Sequence, residues 1–138
     1  MPLNILFMGT PEFSVSILKS INESAHNLLA VYTQPAKKKL RGQKTIDTPV
    51  YNYAKNFNIP IRCPDTINTK QELEFIKNLK VDIAIVVAYG KILPEELLSN
   101  SKIPFINIHA SLLPKWRGAA PIQRAIMNMD EETGISFM

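Results

Sequence analysis

Short runs of apolar residues alternate along the chain with segments in which apolar residues recur every three or four positions. The continuous apolar runs are typical of strands that a parallel sheet buries on both faces, and they cover residues 3–8, 28–33, 81–88 and 105–109. Helical spacing follows the first run, where Phe13, Ile17 and Ile21 lie four residues apart. Strands that alternate with helices predict an α/β fold, a Rossmann-like domain with a mostly parallel central sheet flanked by helices.

Capping residues mark the starts of three predicted helices. Thr10 is expected to cap the first helix, with Pro11 at its first position, and Thr48 and Pro49 repeat this pair later in the chain. Thr69, or the residue before it, should cap a third helix. The predicted helices are residues 11–23, 49–57, 70–79, 94–98 and 118–128.

Three segments carry weaker patterns. Residues 34–47 show no apolar period and are interpreted as a loop, whereas residues 59–61 are interpreted as a short strand or a sheet edge. Residues 134–138 have the pattern of a strand that has just begun. We therefore expect residues 1–138 to form one incomplete N-terminal domain that continues beyond Met138.

The positive charge of the chain is concentrated in the predicted loop. The net charge is +4, from 16 basic and 12 acidic residues. Five of the basic residues fall close together with no acid among them, namely Lys37, Lys38, Lys39, Arg41 and Lys44. This basic segment is either a solvated loop or a surface that binds phosphates, because clustered Lys and Arg release counterions from nucleic acid.

Several classes of protein do not fit the sequence. Its apolar runs are far shorter than the ~20 residues of a membrane span, and no basic stretch precedes the first run as it would in a signal peptide. A single cysteine, Cys63, leaves no disulfide within the chain and favours a reducing cytoplasm. His26 and His109 are far apart in sequence, so we expect no metal site.

Candidate chemistry lies where the predicted strands end, because open α/β sheets bind ligands at the carboxyl ends of their strands. Gly9 follows the first strand but lacks the other glycines of a dinucleotide-binding turn, and it is interpreted as a simple strand-to-helix turn. Ala88, Tyr89 and Gly90 end a later strand.

Asn107 and His109 lie two residues apart at the end of another strand, so both side chains should project from one face. An amide can donate a hydrogen bond to a developing oxyanion, and an imidazole can do the same or transfer a proton near neutral pH. This pair suits acyl transfer, although histidines at strand ends are more often structural. The residues that follow also have two interpretations each. Leu112 and Leu113 could line an apolar ligand pocket or pack in the core. Trp116 with its basic neighbours could contact a phosphate or nucleotide, or form a surface loop.

Residues 107–124 are similar to the hallmark of the 10-formyltetrahydrofolate-dependent formyltransferases. The pattern N-x-H-x-S-L-L-P, from Asn107 to Pro114, marks that superfamily, and the extension W-R-G-A-A-P-I-Q-R resembles its methionyl-tRNA formyltransferase family. Three further segments agree, at residues 8–13, 33–35 and 86–90. The resemblance therefore extends along the whole chain.

This resemblance implies a role for each matching residue. Asn107 and His109 correspond to two of three catalytic residues, and the third, an aspartate, would lie beyond Met138; Asp130 is not its equivalent. The basic segment, which includes Lys39, matches an insertion that engages the acceptor stem of initiator tRNA. The expected folate-binding residues are Ser111, Leu112, Leu113, Pro114, Ala88, Tyr89 and Gly90.

The implied activity is transfer of a formyl group from 10-formyltetrahydrofolate to the α-amine of methionine on initiator methionyl-tRNA, for translation initiation. The family also carries a C-terminal OB-like tRNA-binding domain, which this chain lacks, so we expect the piece alone to be inactive. We further expect a cytoplasmic monomer that uses no metal and no membrane. Two alternatives remain: a relative that formylates an amino sugar or glycinamide ribonucleotide, and a non-catalytic fragment that binds folate or RNA.

Overall fold

The computed structural model describes residues 1–38, 41–42 and 44–138, and Lys39 of the basic segment lies outside them. The strands are β1 (Asn4–Gly9), β2 (Asn27–Tyr32), β3 (Lys37–Lys38), β4 (Thr45–Ile46), β5 (Ile61–Arg62), β6 (Ile83–Val87), β7 (Phe105–His109) and β8 (Ser136–Phe137). The helices are α1 (Glu12–Asn22), α2 (Pro49–Asn56), α3 (Lys70–Asn78), α4 (Glu95–Asn100) and α5 (Pro121–Met127).

Within the described residues, six strands form a central sheet in the order β5-β2-β1-β6-β7-β8. Every pairing in it is parallel except that of β7 with β8, which is antiparallel. The prediction of a Rossmann-like α/β fold with a mostly parallel sheet is therefore confirmed. The strand that begins near the end of the sequence is confirmed too, as β8.

The sheet separates two apolar cores, and β1 contributes to both. Leu6 and Met8 pack towards α3 and α4 on one face, whereas Phe7 packs towards α1 and α2 on the other. All three side chains are fully buried, and burying a side chain of this size contributes about 1.5–3 kcal/mol. Because successive residues of a strand face opposite sides, a continuous apolar run is what a doubly covered strand requires.

Two of the three predicted helix caps are confirmed. The Thr48 hydroxyl accepts from the backbone N–H of Tyr51 at 3.0 Å, and the Thr69 hydroxyl accepts from that of Glu72 at 3.2 Å. The prediction for α1 was wrong, because Pro11 occupies the capping position and Thr10 makes no cap. The Thr10 hydroxyl instead donates to a carbonyl at the end of β6, as described below.

Other predicted boundaries change for physical reasons. Residues 34–47 are not all loop: Lys37 and Lys38 pair with Ile46 and Thr45 in a short antiparallel hairpin. Both of its strands are exposed, so no apolar period reveals it. Helix α5 starts at Pro121 rather than at Gly118, because Gly118 and Ala120 have φ values of 101° and 58° and cannot continue a right-handed helix.

The edge strand that the sequence predicted is present, but it is shifted along the chain. β5 begins two residues later than the predicted 59–61 segment, ends one residue later and forms the edge of the sheet. In the described part of the chain, no helix is long and apolar enough to cross a membrane.

Candidate active site

The carboxyl ends of three neighbouring strands converge on the backbone carbonyl of Tyr89. The Thr10 hydroxyl, just after β1, donates to this oxygen at 2.8 Å. The Gln34 side-chain amide, just after β2, donates to it at 3.0 Å. Residues 88–90 follow β6 and are thereby tied to the segments that follow β1 and β2, so the loop has a defined position at the ligand-binding edge of the sheet.

Loop 88–90 has the backbone of a tight turn. Ala88 and Gly90 have φ values of 50° and 80°, and both are exposed. A Cβ at Gly90 would overlap the Gln34 amide nitrogen, so a side chain here would break the contact with β2. Tyr89 points the other way, into the core, and burial raises its pKa to about 12. The surface that this loop offers to a ligand is therefore backbone and one methyl group.

The Gly9 turn is a point of close packing. A Cβ at Gly9 would lie 2.8 Å from the Val87 carbonyl oxygen and 2.9 Å from Cβ of Ser14. The Ser14 hydroxyl donates to the same Val87 oxygen at 2.5 Å, which joins α1 to β6. The turn serves helix–sheet packing, in agreement with its interpretation as a strand-to-helix turn.

Asn107 and His109 lie at the carboxyl end of β7. Ile108 between them packs on the α1–α2 side of the sheet, so the other two side chains project from the opposite face. The Asn107 backbone exchanges two hydrogen bonds with Met138, of 2.7 and 3.0 Å. Both residues are half-buried, so their backbone lies in the sheet while their side chains stay within reach of a ligand.

Both ring nitrogens of His109 have partners. Nδ1 lies 2.7 Å from the buried Ser111 hydroxyl, and Nε2 lies 3.1 Å from the Gly118 carbonyl oxygen. A carbonyl oxygen can only accept, so Nε2 carries a proton, and in the neutral imidazole Nδ1 accepts from Ser111. The ring is thus held in one orientation, with its Nε2–H donated to the Gly118 carbonyl oxygen.

Residues 111–118 form a loop, called loop 111–118 below, that β8 helps to shape. The Ser136 hydroxyl donates to the Ser111 carbonyl at 2.7 Å and accepts from the Leu113 N–H at 3.1 Å. Leu112 is 51% exposed and lies against Gly134, where an added Cβ would come within 2.5 Å of it. Leu112 and Pro114 are exposed and Leu113 is half-buried, an arrangement that fits the wall of a ligand site better than a core.

Asp130 closes the far side of this loop, a contact that the sequence analysis did not predict. Its carboxylate accepts from the Trp116 indole N–H at 2.6 Å and from the Asn128 amide at 2.6 Å, and it pairs with the Lys115 ammonium at 2.9 Å. Hydrogen bonds from Asn128, Lys115 and Trp116 lower the pKa of Asp130 to about 2. Lys115 and Trp116 therefore both contact Asp130, although Lys115, like Arg117, is exposed. A partly buried indole N–H needs an acceptor, so Trp116 is the one residue in the sequence that pointed to a carboxylate nearby.

The described residues of the basic segment are all exposed. Lys37 and Lys38 lie on β3, and Arg41 and Lys44 lie in the turn of the hairpin. In residues 1–38, 41–42 and 44–138, no carboxylate forms an ion pair with these four side chains. Gln34, which holds loop 88–90, precedes the hairpin by only three positions.

The described residues contain no group of three or more His, Cys, Asp or Glu side chains that could hold a metal ion. The candidate site consists of polar strand ends, an oriented imidazole and two backbone-rich loops. Such a site can bind a planar ligand along the strand ends and donate hydrogen bonds to one of its oxygen atoms.

An open α/β sheet with a site of this kind at its strand ends defines the structural class of the protein. The match to a known protein family agrees with that class. Residues 3–138 match the formyl transferase family, so the chain belongs to that family. It is 58% identical over its whole length to the methionyl-tRNA formyltransferase of Pelagibacter ubique. It is 53% identical over 99% of its length to that of a Sulfurihydrogenibium species. The chain spans 45% and 44% of these two relatives.

Solved structures show the same fold at low sequence identity. A phosphoribosylglycinamide formyltransferase from Bacillus halodurans superposes with a TM-score of 0.70 at 19% identity, over 97% of this chain and 70% of its own. A formyltetrahydrofolate deformylase from Pseudomonas syringae superposes with a TM-score of 0.68 at 18% identity, over 99% of this chain and 45% of its own. These likenesses establish the formyltransferase-type fold.

Proposed function

We propose that this chain is the N-terminal catalytic part of a protein that transfers a formyl group from 10-formyltetrahydrofolate to the α-amine of methionine on initiator methionyl-tRNA. The observation that carries the proposal is the 58% identity, along the whole chain, to a relative named methionyl-tRNA formyltransferase. The geometry of β7 supports it, because two adjacent hydrogen-bonding side chains face the ligand edge of the sheet.

Asn107 and His109 are proposed to stabilise the tetrahedral intermediate. A methionyl α-amine has a pKa of roughly 7.7–8.0, so part of it is neutral near pH 7 and can attack the formyl carbon directly. The C=O bond becomes a C–O⁻ bond, and the Asn107 amide and the Nε2–H of His109 donate to that oxygen. For His109 this means exchanging the Gly118 carbonyl for the formyl oxygen. Collapse then re-forms the C=O bond and breaks the bond to the folate nitrogen, and that nitrogen takes up the proton that the amine loses.

The two loops at the strand ends are proposed to bind the folate. Loop 88–90 offers backbone groups along one side, and residues 111–114 offer an exposed apolar side chain and a proline along the other. A pteridine ring system is planar and carries hydrogen-bonding groups on its edge, so apolar faces and backbone edges suit it. The folate is a co-substrate, and no metal is invoked.

The basic segment, which lies on the hairpin of β3 and β4, is proposed to bind the tRNA. Its described side chains are exposed and have no acidic partners in the described part of the chain, so phosphates can reach them. We place Lys37, Lys38, Arg41 and Lys44 in this contact, with Lys39, whose placement is not described, assigned to it from the sequence alone.

The remaining parts of the proposal concern the longer protein. The third catalytic residue, an aspartate, and an OB-like tRNA-binding domain are proposed to lie beyond Met138. The 138-residue chain alone is therefore expected to be inactive. We also propose that the protein works as a monomer in the cytoplasm, where its tRNA substrate is found.

The test is a competition between acceptors, using the full-length protein and 10-formyltetrahydrofolate. Charged initiator methionyl-tRNA, an amino-sugar nucleotide and glycinamide ribonucleotide are supplied together, and each product is measured. Formylation of the tRNA-bound methionine alone is the expected result. Formylation of a small acceptor would remove the tRNA assignment and keep the roles at β7. Binding of folate or RNA with no turnover would identify a non-catalytic protein.

A further inference from the structure

We propose that Asp130 is a positioning residue, whose carboxylate holds loop 111–118 in the shape that orients His109 and the folate-binding residues. The inference rests on the proposed function, since the loop matters only if it binds the donor. It adds a residue that neither the sequence motif nor the comparisons assign.

Asp130 is a charged group in an enclosed setting. Its side chain is only 6% exposed. One carboxylate oxygen accepts from Trp116, and the other accepts from Lys115 and Asn128, so both oxygens are engaged. Hydrogen bonds between charged and neutral groups are shorter and stronger than those between neutral groups. Removing the carboxylate would leave an indole N–H and an ammonium without their partner.

The residue that Asp130 holds has an unfavourable backbone. Trp116 has a φ of 58°, a left-handed conformation that a bulky side chain rarely adopts. The Lys115 N–H donates to the Leu112 carbonyl at 3.0 Å, which tightens the turn just before it. The hydrogen bond from the indole to Asp130 holds Trp116 in place, and so sets the direction of the chain after this turn. Gly118 follows two residues later.

Gly118 connects the turn to the proposed catalytic histidine. Its carbonyl oxygen lies 3.1 Å from Nε2 of His109, so its position affects the orientation of the ring. The other end of the loop is held separately, by Ser136 against Ser111 and Leu113. Loop 111–118 thus has two anchors, and Asp130 supplies the one nearer to Gly118.

Asp130 lies outside both apolar cores, so its role can be separated from folding. Its neighbours Glu131 and Glu132 are exposed carboxylates with no side-chain partner in the described residues, and they provide matched controls. Asp130→Ala removes all three contacts. Asp130→Asn retains one oxygen that can accept from the indole but removes the charge that pairs with Lys115.

The experiment uses the full-length protein and two kinds of measurement. The indole N–H resonance of Trp116, assigned by its loss in Trp116→Phe, reports the contact with Asp130 directly. Steady-state kinetics report kcat, and KM for 10-formyltetrahydrofolate, with methionyl-tRNA as acceptor. Calorimetry measures binding of 5-formyltetrahydrofolate, a stable probe that does not depend on turnover.

Asp130→Ala is expected to shift the indole resonance, to lower kcat/KM for the donor by about tenfold or more, and to weaken binding of the probe. Asp130→Asn should recover part of the loss, and Glu131→Gln and Glu132→Gln should match the wild type. An unmoved indole resonance would show that the contact does not exist. A moved resonance with unchanged kinetics and probe binding would show that Asp130 has no positioning role.

The two proposals can fail separately. If the wild type formylates no acceptor but binds the probe, and Asp130→Ala weakens that binding, the proposed function fails and the positioning role stands. If the wild type neither turns over nor binds the probe, the positioning role is overturned as well.

Discussion

Glu72 and Asp130 each accept hydrogen bonds from three donors, but they belong to different parts of the molecule. Glu72, on α3, accepts from the Tyr32 hydroxyl at 2.5 Å and from two nitrogens of Arg62 at 2.7 and 2.8 Å. Its donors lie on β2 and β5, so this carboxylate joins a helix to the sheet. Asp130 joins a loop to the connection after α5. The same local chemistry therefore stabilises the fold in one place and shapes the candidate site in the other.

The two carboxylates differ in how burial and hydrogen bonds combine to set the pKa. Burial raises the pKa of Glu72, but hydrogen bonds from Arg62 and Tyr32 outweigh it and bring the pKa below its ordinary value. At Asp130 the hydrogen bonds have a larger effect than burial, and they lower the pKa. Both groups are charged at neutral pH, and the comparison predicts that removing Glu72 damages folding whereas changes around β7 damage activity.

The largest expected effect on stability is that of Glu72→Ala. It would leave Arg62 and the Tyr32 hydroxyl without their partner in a largely buried setting, and we expect the free energy of unfolding to fall by about 3–5 kcal/mol. Urea unfolding of the full-length protein measures it. Glu74→Ala is the matched control, because Glu74 lies on the same helix in an exposed pair with Lys70 and should contribute about 0.5 kcal/mol or less. Equal losses for the two variants would contradict the structural role of Glu72.

The next largest effect concerns catalysis. Asn107→Ala should lower kcat by about 100-fold or more, because it removes one of the two proposed donors to the oxyanion. Its side chain has no hydrogen-bond partner in the described residues, so the free energy of unfolding should change little. Asn52→Ala, an exposed position on α2, controls for loss of an amide. A decrease of less than tenfold would rule out the proposed role of Asn107.

A smaller effect is expected from Tyr32→Phe. The ring keeps its edge contact with Phe75, at 6.3 Å between centroids, and Glu72 keeps Arg62. Only one hydrogen bond is lost, so the free energy of unfolding should fall by about 1 kcal/mol. The measurement is again urea unfolding. A loss as large as that of Glu72→Ala would mean that the hydroxyl, and not the ion pair, holds α3 to the sheet.

The smallest expected effect is a dependence of stability on pH, which is absent near neutral pH and appears on acidification. The folded pKa values of Glu72 and Asp130 lie below the roughly 4.3 and 3.9 of unfolded chains, so both groups stabilise the protein above those values. That contribution is lost as pH falls through the folded values, near about 2 for Asp130. The urea midpoint should therefore be flat near neutral pH and decline below about pH 4. Glu72→Gln should show a shallower decline, and an unchanged slope would contradict the shift at Glu72.

Much of the fold could be predicted because it depends on local patterns. The apolar run of β1 and the capping threonines of α2 and α3 carry their physical cause within a few residues. The hairpin of β3 and β4 could not be predicted, because exposed backbone pairing leaves no apolar period. Thr10 was misassigned because its hydroxyl is bound to a carbonyl 79 residues away, and no local rule weighs such a partner.

The candidate site likewise has residues that could be predicted from the sequence and contacts that could not. Asn107, His109 and the residues around Ser111 were recognisable from their motif, and the structure places them at the ligand edge of the sheet. Their supporting contacts were not: Gln34 on Tyr89, Ser136 on Ser111 and Asp130 on Trp116 each join segments at least 14 residues apart.

By itself, the sequence determined the fold class, the family, the concentration of positive charge and the candidate residues for the chemistry. These depend on residue type and short-range spacing, which a linear chain displays directly. Tertiary structure alone decided which hydroxyls cap helices and which hold strand ends, how His109 is oriented, and why one acidic residue near β8 is enclosed while its neighbours are exposed. A hydrogen bond is directional and short, so its partner is known only when distant segments have been brought together.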